Sequence, residues 1–235
     1  MKTTNPGVAL VTGASSGIGY ATATALQSAA FRVFGTSRRA AAEKSDGVTM
    51  LTCDVTDDAS VAKIVDDVLA QAGRIDLLVN NAGVGVIGGA EESSIAQAQT
   101  LFDVNVFGVM RVTKAVLPTM RRQRKGRIIN MSSILGLIPS PYNAIYSSSK
   151  HAIEGYSESL DHELRTLGIR VVLVEPGYTN TAFEKKQDEA RSAAFDLRLG
   201  AYSHRTVYAE ERGRRRCPGN CGEDSLESGK CCSAE

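Results

Sequence analysis

The chain has 235 residues, 43% of them hydrophobic, and a formal net charge of +1. That length suits one α/β-sized domain with a buried core, and the near-neutral balance argues against nucleic acid as a partner. No stretch approaches ~18 uninterrupted apolar residues, and residues 1–9 reach the first apolar run too quickly for a basic leader, so a soluble, cytoplasmic protein without a membrane partner is expected.

Short β-rich apolar runs alternate with longer helical patterns, which predicts parallel strands joined by crossover helices and covered on both faces. Residues 8–11 read as the first strand, and Ile18, Ala21, Ala25 and Ala29 then recur at helical spacing. Residues 33–36 and 48–52 read as the second and third strands. Residues 57–72 place Val61, Ile64, Val65, Val68 and Leu69 on one helical stripe, with acids in the first turn. A fourth strand is predicted at 75–79 and a long helix at 101–120, ending in Arg121-Arg122-Gln123-Arg124-Lys125, whose charges suit a helix carboxyl end. Gly126 opens a fifth strand at 128–131, residues 146–167 form a helix stopped by Gly168, and 171–174 is the sixth strand. There is no internal repeat.

Between the first strand and its helix stands Thr12-Gly13-Ala14-Ser15-Ser16-Gly17-Ile18-Gly19. Three glycines there leave bare backbone at a helix amino terminus, where unpaired N–H groups and the dipole attract a pyrophosphate. The spacing departs from Gly-x-Gly-x-x-Gly, and a plain tight turn would use the same glycines; the strand before and the amphipathic helix after favour a nucleotide. The second strand runs into Ser37-Arg38-Arg39 with no acid. An acid would accept hydrogen bonds from the ribose of NAD, whereas Arg38 can pair with the 2′-phosphate of NADP. NADP(H) is therefore favoured, with NAD(H) and a solvated basic loop as the alternatives. Asp54, after the third strand, either contacts the adenine edge or belongs to the cap of the next helix.

Tyr146 and Lys150 lie one helical turn apart, with Ser133 upstream. A phenol beside a cation is a candidate acid. Taken singly, Tyr146 would be a packing residue, Lys150 a solvated side chain, Ser133 a strand-end cap and Asn105 an amide that bends its helix. His151, His162 and His204 form no metal-ligand spacing, so no metal is expected.

Taken jointly, these residues resemble the classical short-chain dehydrogenase/reductase family, on its retinol and 17β-hydroxysteroid dehydrogenase side. The resemblance rests on Thr12-Gly13-x-x-x-Gly17-x-Gly19, Asp54-Val55, Asn80-Asn81-Ala82-Gly83, Asn105, Ser133, Tyr146-x-x-x-Lys150 and Pro176-Gly177, in family order, over about residues 7–183. It implies an α/β fold: a single doubly wound Rossmann-type domain, its mainly parallel sheet covered by helices on both faces. It also implies cofactor contacts from Gly13, Ser15, Ser16, Gly17, Ile18, Gly19, Ser37, Arg38, Asp54, Val55, Asn81, Ala82, Gly83, Tyr146, Lys150, Pro176, Gly177, Thr179 and Thr181. Four residues are implied in catalysis. Tyr146 donates the proton, Lys150 lowers the phenol pKa and holds the nicotinamide ribose, Ser133 binds the substrate oxygen, and Asn105 holds a water next to Lys150. Bringing a phenol from near 10 to about 7 takes roughly 4 kcal/mol.

Ile134, Leu135, Leu137, Ile138, Tyr142 and Ile145 suggest an apolar pocket wall, and residues 175–183 resemble the retinol and hydroxysteroid side of the family. The expected substrate is a hydrophobic ketone, aldehyde or secondary alcohol, the enzymatic alternative being a 3-oxoacyl thioester. Domain boundaries are expected at 1–208, with a substrate lid at about 177–208, and a tail at 209–235. From Ala209 the chain turns into Glu-Glu-Arg-Gly-Arg-Arg-Arg and then Cys217, Cys221, Cys231 and Cys232, a spacing that fits no zinc site; of the five cysteines only Cys53 lies in the body of the chain. Such a tail is expected to be disordered, the product of a truncated or frame-shifted reading that lacks the family's seventh strand and leaves an exposed sheet edge. The alternative to an enzyme is then a nucleotide-binding protein with little turnover. A homodimer or tetramer is expected through the helices at 101–120 and 146–167.

Overall fold

The computed structural model describes residues 6–39, 47–177 and 179. All belong to the first of two units, Met1–Ala194 and Phe195–Glu235. Thr181, His204, most of the expected lid and the whole 209–235 tail with its four cysteines lie outside the described residues.

Six strands, β1 (Val8–Val11), β2 (Arg32–Ser37), β3 (Val48–Thr52), β4 (Leu77–Asn80), β5 (Gly126–Met131) and β6 (Ile169–Val174), form one sheet in the order β3-β2-β1-β4-β5-β6. Every pairing is parallel. Five helices, α1 (Gly17–Ser28), α2 (Asp58–Ala72), α3 (Ile95–Phe102), α4 (Gly108–Gln123) and α5 (Ala144–Leu164), make the crossovers. This is the doubly wound Rossmann-type fold expected from the sequence. The strand order reverses between β1 and β4, and a reversal of this kind opens a crevice beyond the carboxyl ends of the strands.

Alternation along each strand divides the core. Leu10, Phe34, Leu78 and Ile128 pack with Val61, Ile64 and Val68 of α2, Val112, Val116 and Met120 of α4, and Leu160 of α5. Ala9, Val11, Val33, Leu77 and Val79 face the other way, with Ala23 and Leu26 of α1 against them. Where both faces are covered, as along β1 and β4, the strands read as continuous apolar runs rather than alternating ones.

Helix starts follow local chemistry. Asp57 caps α2 by accepting from the Ala59 N–H at 3.0 Å, and α2 stops at Gly73, whose φ is +71°. Of the two readings left open for Asp54, the cap thus belongs to Asp57. Asp54 instead accepts from the Thr56 N–H at 2.9 Å and the Thr56 hydroxyl at 2.8 Å, and these bonds hold its carboxyl below the usual range. Helix α3 is not predicted above. Its start is a complete capping box, Ser94 with Gln97, and that pair was the available signal. The long helix expected at 101–120 is also interrupted: a π-helical turn at Asp103–Phe107 joins α3 to α4 and carries the buried Asn105. One extra residue in a helical turn scarcely disturbs an apolar stripe, so periodicity does not reveal it.

Strand β6, last in the sheet among the described residues, is fastened by one carboxylate. Asp161 on α5 accepts from Arg170 Nε at 2.9 Å, from the Val171 N–H at 2.9 Å and from Arg165 Nη2 at 2.8 Å. Arg170, then the Val171 amide, hold the Asp161 carboxyl far below the ordinary carboxylate range. A depressed folded-state pKa adds stability that is complete above the unfolded value, near 4, and is lost as pH falls towards the folded one. Asp161→Asn is accordingly expected to cost about 2 kcal/mol at pH 7, with a smaller difference from the wild type below pH ~4, in urea denaturation at the two pH values. Equal midpoints at pH 7 would remove Asp161 as the fastening.

Candidate active site

The crevice is shaped first by the turn after β1. Gly13 and Gly17 adopt φ of +67° and +56°, where side chains are strained. A Cβ on Gly13 would also meet Ala82 Cα at 2.9 Å, and one on Gly19 would run into the Asn81 amide and the Gly13 carbonyl. Thr12 ties this turn to the loop after β4: its hydroxyl accepts from the Asn81 and Ala82 N–H groups at 2.9 and 3.0 Å. Asn81 returns the contact, its Nδ2 donating to the Thr12 and Gly13 carbonyls at 2.9 and 3.1 Å. Helix α1 then begins without a side-chain cap, unlike α2 and α3, and with no acid in its first turn. Its leading N–H groups and positive dipole end are left for whatever enters the crevice.

A cleft of about 480 Å³ lies over these strand ends. Most of the residues expected from the sequence line it: Gly13, Ser15, Ser16, Gly17, Ile18 and Gly19 at the turn, Ser37 and Arg38 after β2, and Val55 after β3. Asn81, Ala82 and Gly83 follow from β4, then Ser133, Tyr146 and Lys150, and finally Pro176, Gly177 and Thr179 beyond β6. Arg38 is exposed at the rim, close enough to Asp54 for its charge to act on that carboxyl. Asp54 and Asn105 do not line the cleft, and Thr181 falls outside the described residues. Thr36, Cys53, Val84, Gly85, Val104, Met131 and Ser132 also line it, unnoticed in the sequence. Most of them flank motif residues at strand ends, which was the one signal available.

At one end of the cleft two hydroxyls meet. Tyr146 is buried and hydrogen-bonded to Ser133, whose Oγ also accepts from the Leu135 N–H at 3.2 Å and so caps the short turn at Ile134–Gly136. Both readings of Ser133, cap and site residue, therefore hold in one side chain. Lys150, equally buried, donates from Nζ to the Met131 carbonyl at 2.8 Å, and its Nζ lies 5.6 Å from the Tyr146 ring centroid.

Burial pushes the Tyr146 hydroxyl above its ordinary value, only Ser133 opposes this, and Lys150 is not among the causes. The ammonium faces the Met131 carbonyl instead, and burial brings Lys150 itself down to about 8 against the attraction of Glu154. The neutral phenol, the form that can donate a proton, is the favoured one.

Asn105, buried in the π turn, is bonded through its side-chain amide. Its Oδ1 accepts from the Val84 N–H at 2.8 Å, and its Nδ2 donates to the Val84 carbonyl at 2.8 Å and to Ser149 Oγ at 3.4 Å. The amide is committed to the loop after β4 and to Ser149 of α5.

Of the expected apolar wall, Ile134 and Leu135 line the cleft, while Leu137, Ile138 and Tyr142 are exposed and Ile145 is half-buried. The wall is joined to the segment after β6 by the Ile134 N–H, which donates to the Pro176 carbonyl at 3.1 Å. No helix among the described residues is long and apolar enough to cross a membrane.

Comparison with known proteins follows the same residues. A family profile described as short chain dehydrogenase matches residues 7–192. The chain is 46% identical over 178 residues to a 3-ketodihydrosphingosine reductase of Bacteroides thetaiotaomicron, a match covering 76% of this chain and 66% of that protein. It is 41% identical over 202 residues to retinol dehydrogenase 8 of Bos taurus, covering 80% and 64%. The chain thus spans just under two thirds of these relatives. A short-chain dehydrogenase from Streptomyces avermitilis has a similar structure, with a TM-score of 0.71, 36% identity, and coverage of 83% of this chain and 79% of that one. ElxO with NADP bound gives a TM-score of 0.73 at 29% identity, covering 79% of each chain.

Proposed function

Since the chain belongs to the short chain dehydrogenase family, we propose that it interconverts a hydrophobic ketone or aldehyde and its alcohol with NADP(H). The observation that carries this reading is one cleft with the uncapped amino terminus of α1 at one side and the paired Ser133 and Tyr146 hydroxyls at another.

The residues present fit a dinucleotide. Gly13 and Gly17 to Gly19 would hold the pyrophosphate against the first turn of α1, Arg38 would pair with the 2′-phosphate, and Lys150 would take the nicotinamide ribose. When bound, the reduced nicotinamide supplies the hydride. Ser133 and Tyr146 hold the carbonyl oxygen between two hydroxyls, and Tyr146, kept neutral by burial, gives its proton to that oxygen as charge develops on it. Ser133 stabilises the same charge with a hydrogen bond. Ile134 and Leu135 keep water from the reacting carbon and favour an apolar substrate. Relatives named as a reductase and as a retinol dehydrogenase support this substrate class in either direction. Arg38 and the NADP-bound relative support NADP(H) over NAD(H).

Calorimetric titration of the folded protein with NADPH and NADH in parallel tests the proposal without knowledge of the substrate. Tight binding of NADPH and weak binding of NADH is the expected result, to be followed by a ketone and alcohol screen. Binding of neither would overturn the reading.

A further inference from the structure

Two buried oxygens behind the site have no hydrogen-bond partner among the described residues: Glu154 Oε1 and Ser132 Oγ. They flank the same spot, since a Cβ on Gly136 would meet Ser132 Oγ at 2.7 Å and Glu154 Oε1 at 3.0 Å. Glu154 follows Lys150 by one turn of α5, so both side chains lie on one helical face, and Ser132 follows Met131, whose carbonyl holds Lys150 Nζ. All three side chains are buried. An unpaired carboxylate oxygen in such a place is costly unless a nearby positive charge compensates it.

We propose that Glu154 is a positioning residue: its buried carboxylate is the counter-charge that keeps the Lys150 ammonium protonated beneath the Tyr146 ring and aimed at Met131. The proposal deepens the oxidoreductase reading and rests on it for the consequence in turnover, though not for the charge of Lys150 itself. Among the described residues no other group competes for the role. Along α5, Tyr146 is neutral, His151 faces the Ser147 carbonyl, and Asp161 is paired with Arg165 and Arg170. The end of β5 and the turn after it bring only serines and apolar residues, and α3 brings no charge. In the π turn Asp103 is paired with Arg111 at 2.7 Å, and Glu175 beyond β6 is exposed. Glu154 is also the one charge that opposes the effect of burial on Lys150.

The test is Glu154→Gln, read in two ways. The Lys150 titration, followed by NMR of lysines labelled at Cε and assigned with Lys150→Arg, is expected to move from about 8 to lower pH by about one unit, a tenfold loss of ammonium. The alkaline limb of carbonyl reduction moves the same way, so the loss of activity grows with pH. Glu154→Asp, which withdraws the same charge by one methylene, gives an intermediate midpoint, and it carries the test if the Gln variant does not fold. An unchanged midpoint, or a loss equal at every pH, overturns the proposal. A shifted midpoint in a protein that reduces no carbonyl supports the role of Glu154 and refutes the oxidoreductase reading alone.

Discussion

Tyr146→Phe is expected to lower kcat/KM for carbonyl reduction by about a thousandfold, some 4 kcal/mol of transition-state stabilisation, while NADPH binding stays within a few-fold of the wild type. The substitution keeps the ring and its burial and removes only the oxygen that meets Ser133. Packing is therefore preserved, and Ser133 keeps the bond from the Leu135 N–H that holds the turn. What disappears is the proton. No other group among the described residues at this end of the cleft can supply it: Ser133 has an ordinary hydroxyl, and the Lys150 ammonium is turned to the Met131 carbonyl. The measurement is steady-state kinetics beside calorimetric binding and circular dichroism. Retention of more than about a tenth of wild-type activity by a well-folded variant would be incompatible with Tyr146 as the general acid, given the ~100-fold minimum such acids contribute.

Arg38→Asp is expected to weaken NADPH binding by about a hundredfold or more and to leave NADH binding near its original level. Losing a charge-assisted hydrogen bond to phosphate costs ~1.5–3 kcal/mol, and placing a carboxylate against the same dianion adds ~1 kcal/mol of repulsion in a solvated rim. Together these correspond to roughly two to three orders of magnitude in affinity. NADH lacks the 2′-phosphate and meets neither penalty. Because Arg38 is exposed at the rim, the fold does not depend on it, which separates this result from a stability effect. The ratio of the two dissociation constants is the quantity to measure; an unaltered ratio would assign the preference to Ser37, Thr36 or no residue of this loop.

The strands were legible chiefly because the central ones are covered on both faces, which writes an apolar run directly into the chain. Their ends were less so. β2 starts at Arg32 and β6 extends back through Arg170, charged residues that read as loop. Each is tied down by a contact distant in sequence: Arg32 Nη1 donates to the Gln71 carbonyl at 2.6 Å, and Arg170 to Asp161 at 2.9 Å. In the site, the meeting of Tyr146, Ser133 and the glycine turn was what the family resemblance implied. The direction in which Lys150 points, and the rise of the phenol pKa with it, were not legible, because both depend on which backbone carbonyl lies across the fold and on how much water is excluded. The commitment of Asn105 to Val84 was hidden for a similar reason, as a π turn leaves no mark in periodicity.

The bonds that join Thr12 and Asn81 form a closed circuit between two strand ends. Such a circuit means that the backbone facing an incoming diphosphate is ordered as the sheet assembles rather than at the moment of encounter. The entropy of arranging that loop is charged to folding, and association proceeds without it. Affinity at this turn is then expected to depend on rigidity set before binding, and loosening the circuit at the Thr12 hydroxyl, which is buried and does not line the cleft, is expected to slacken the grip.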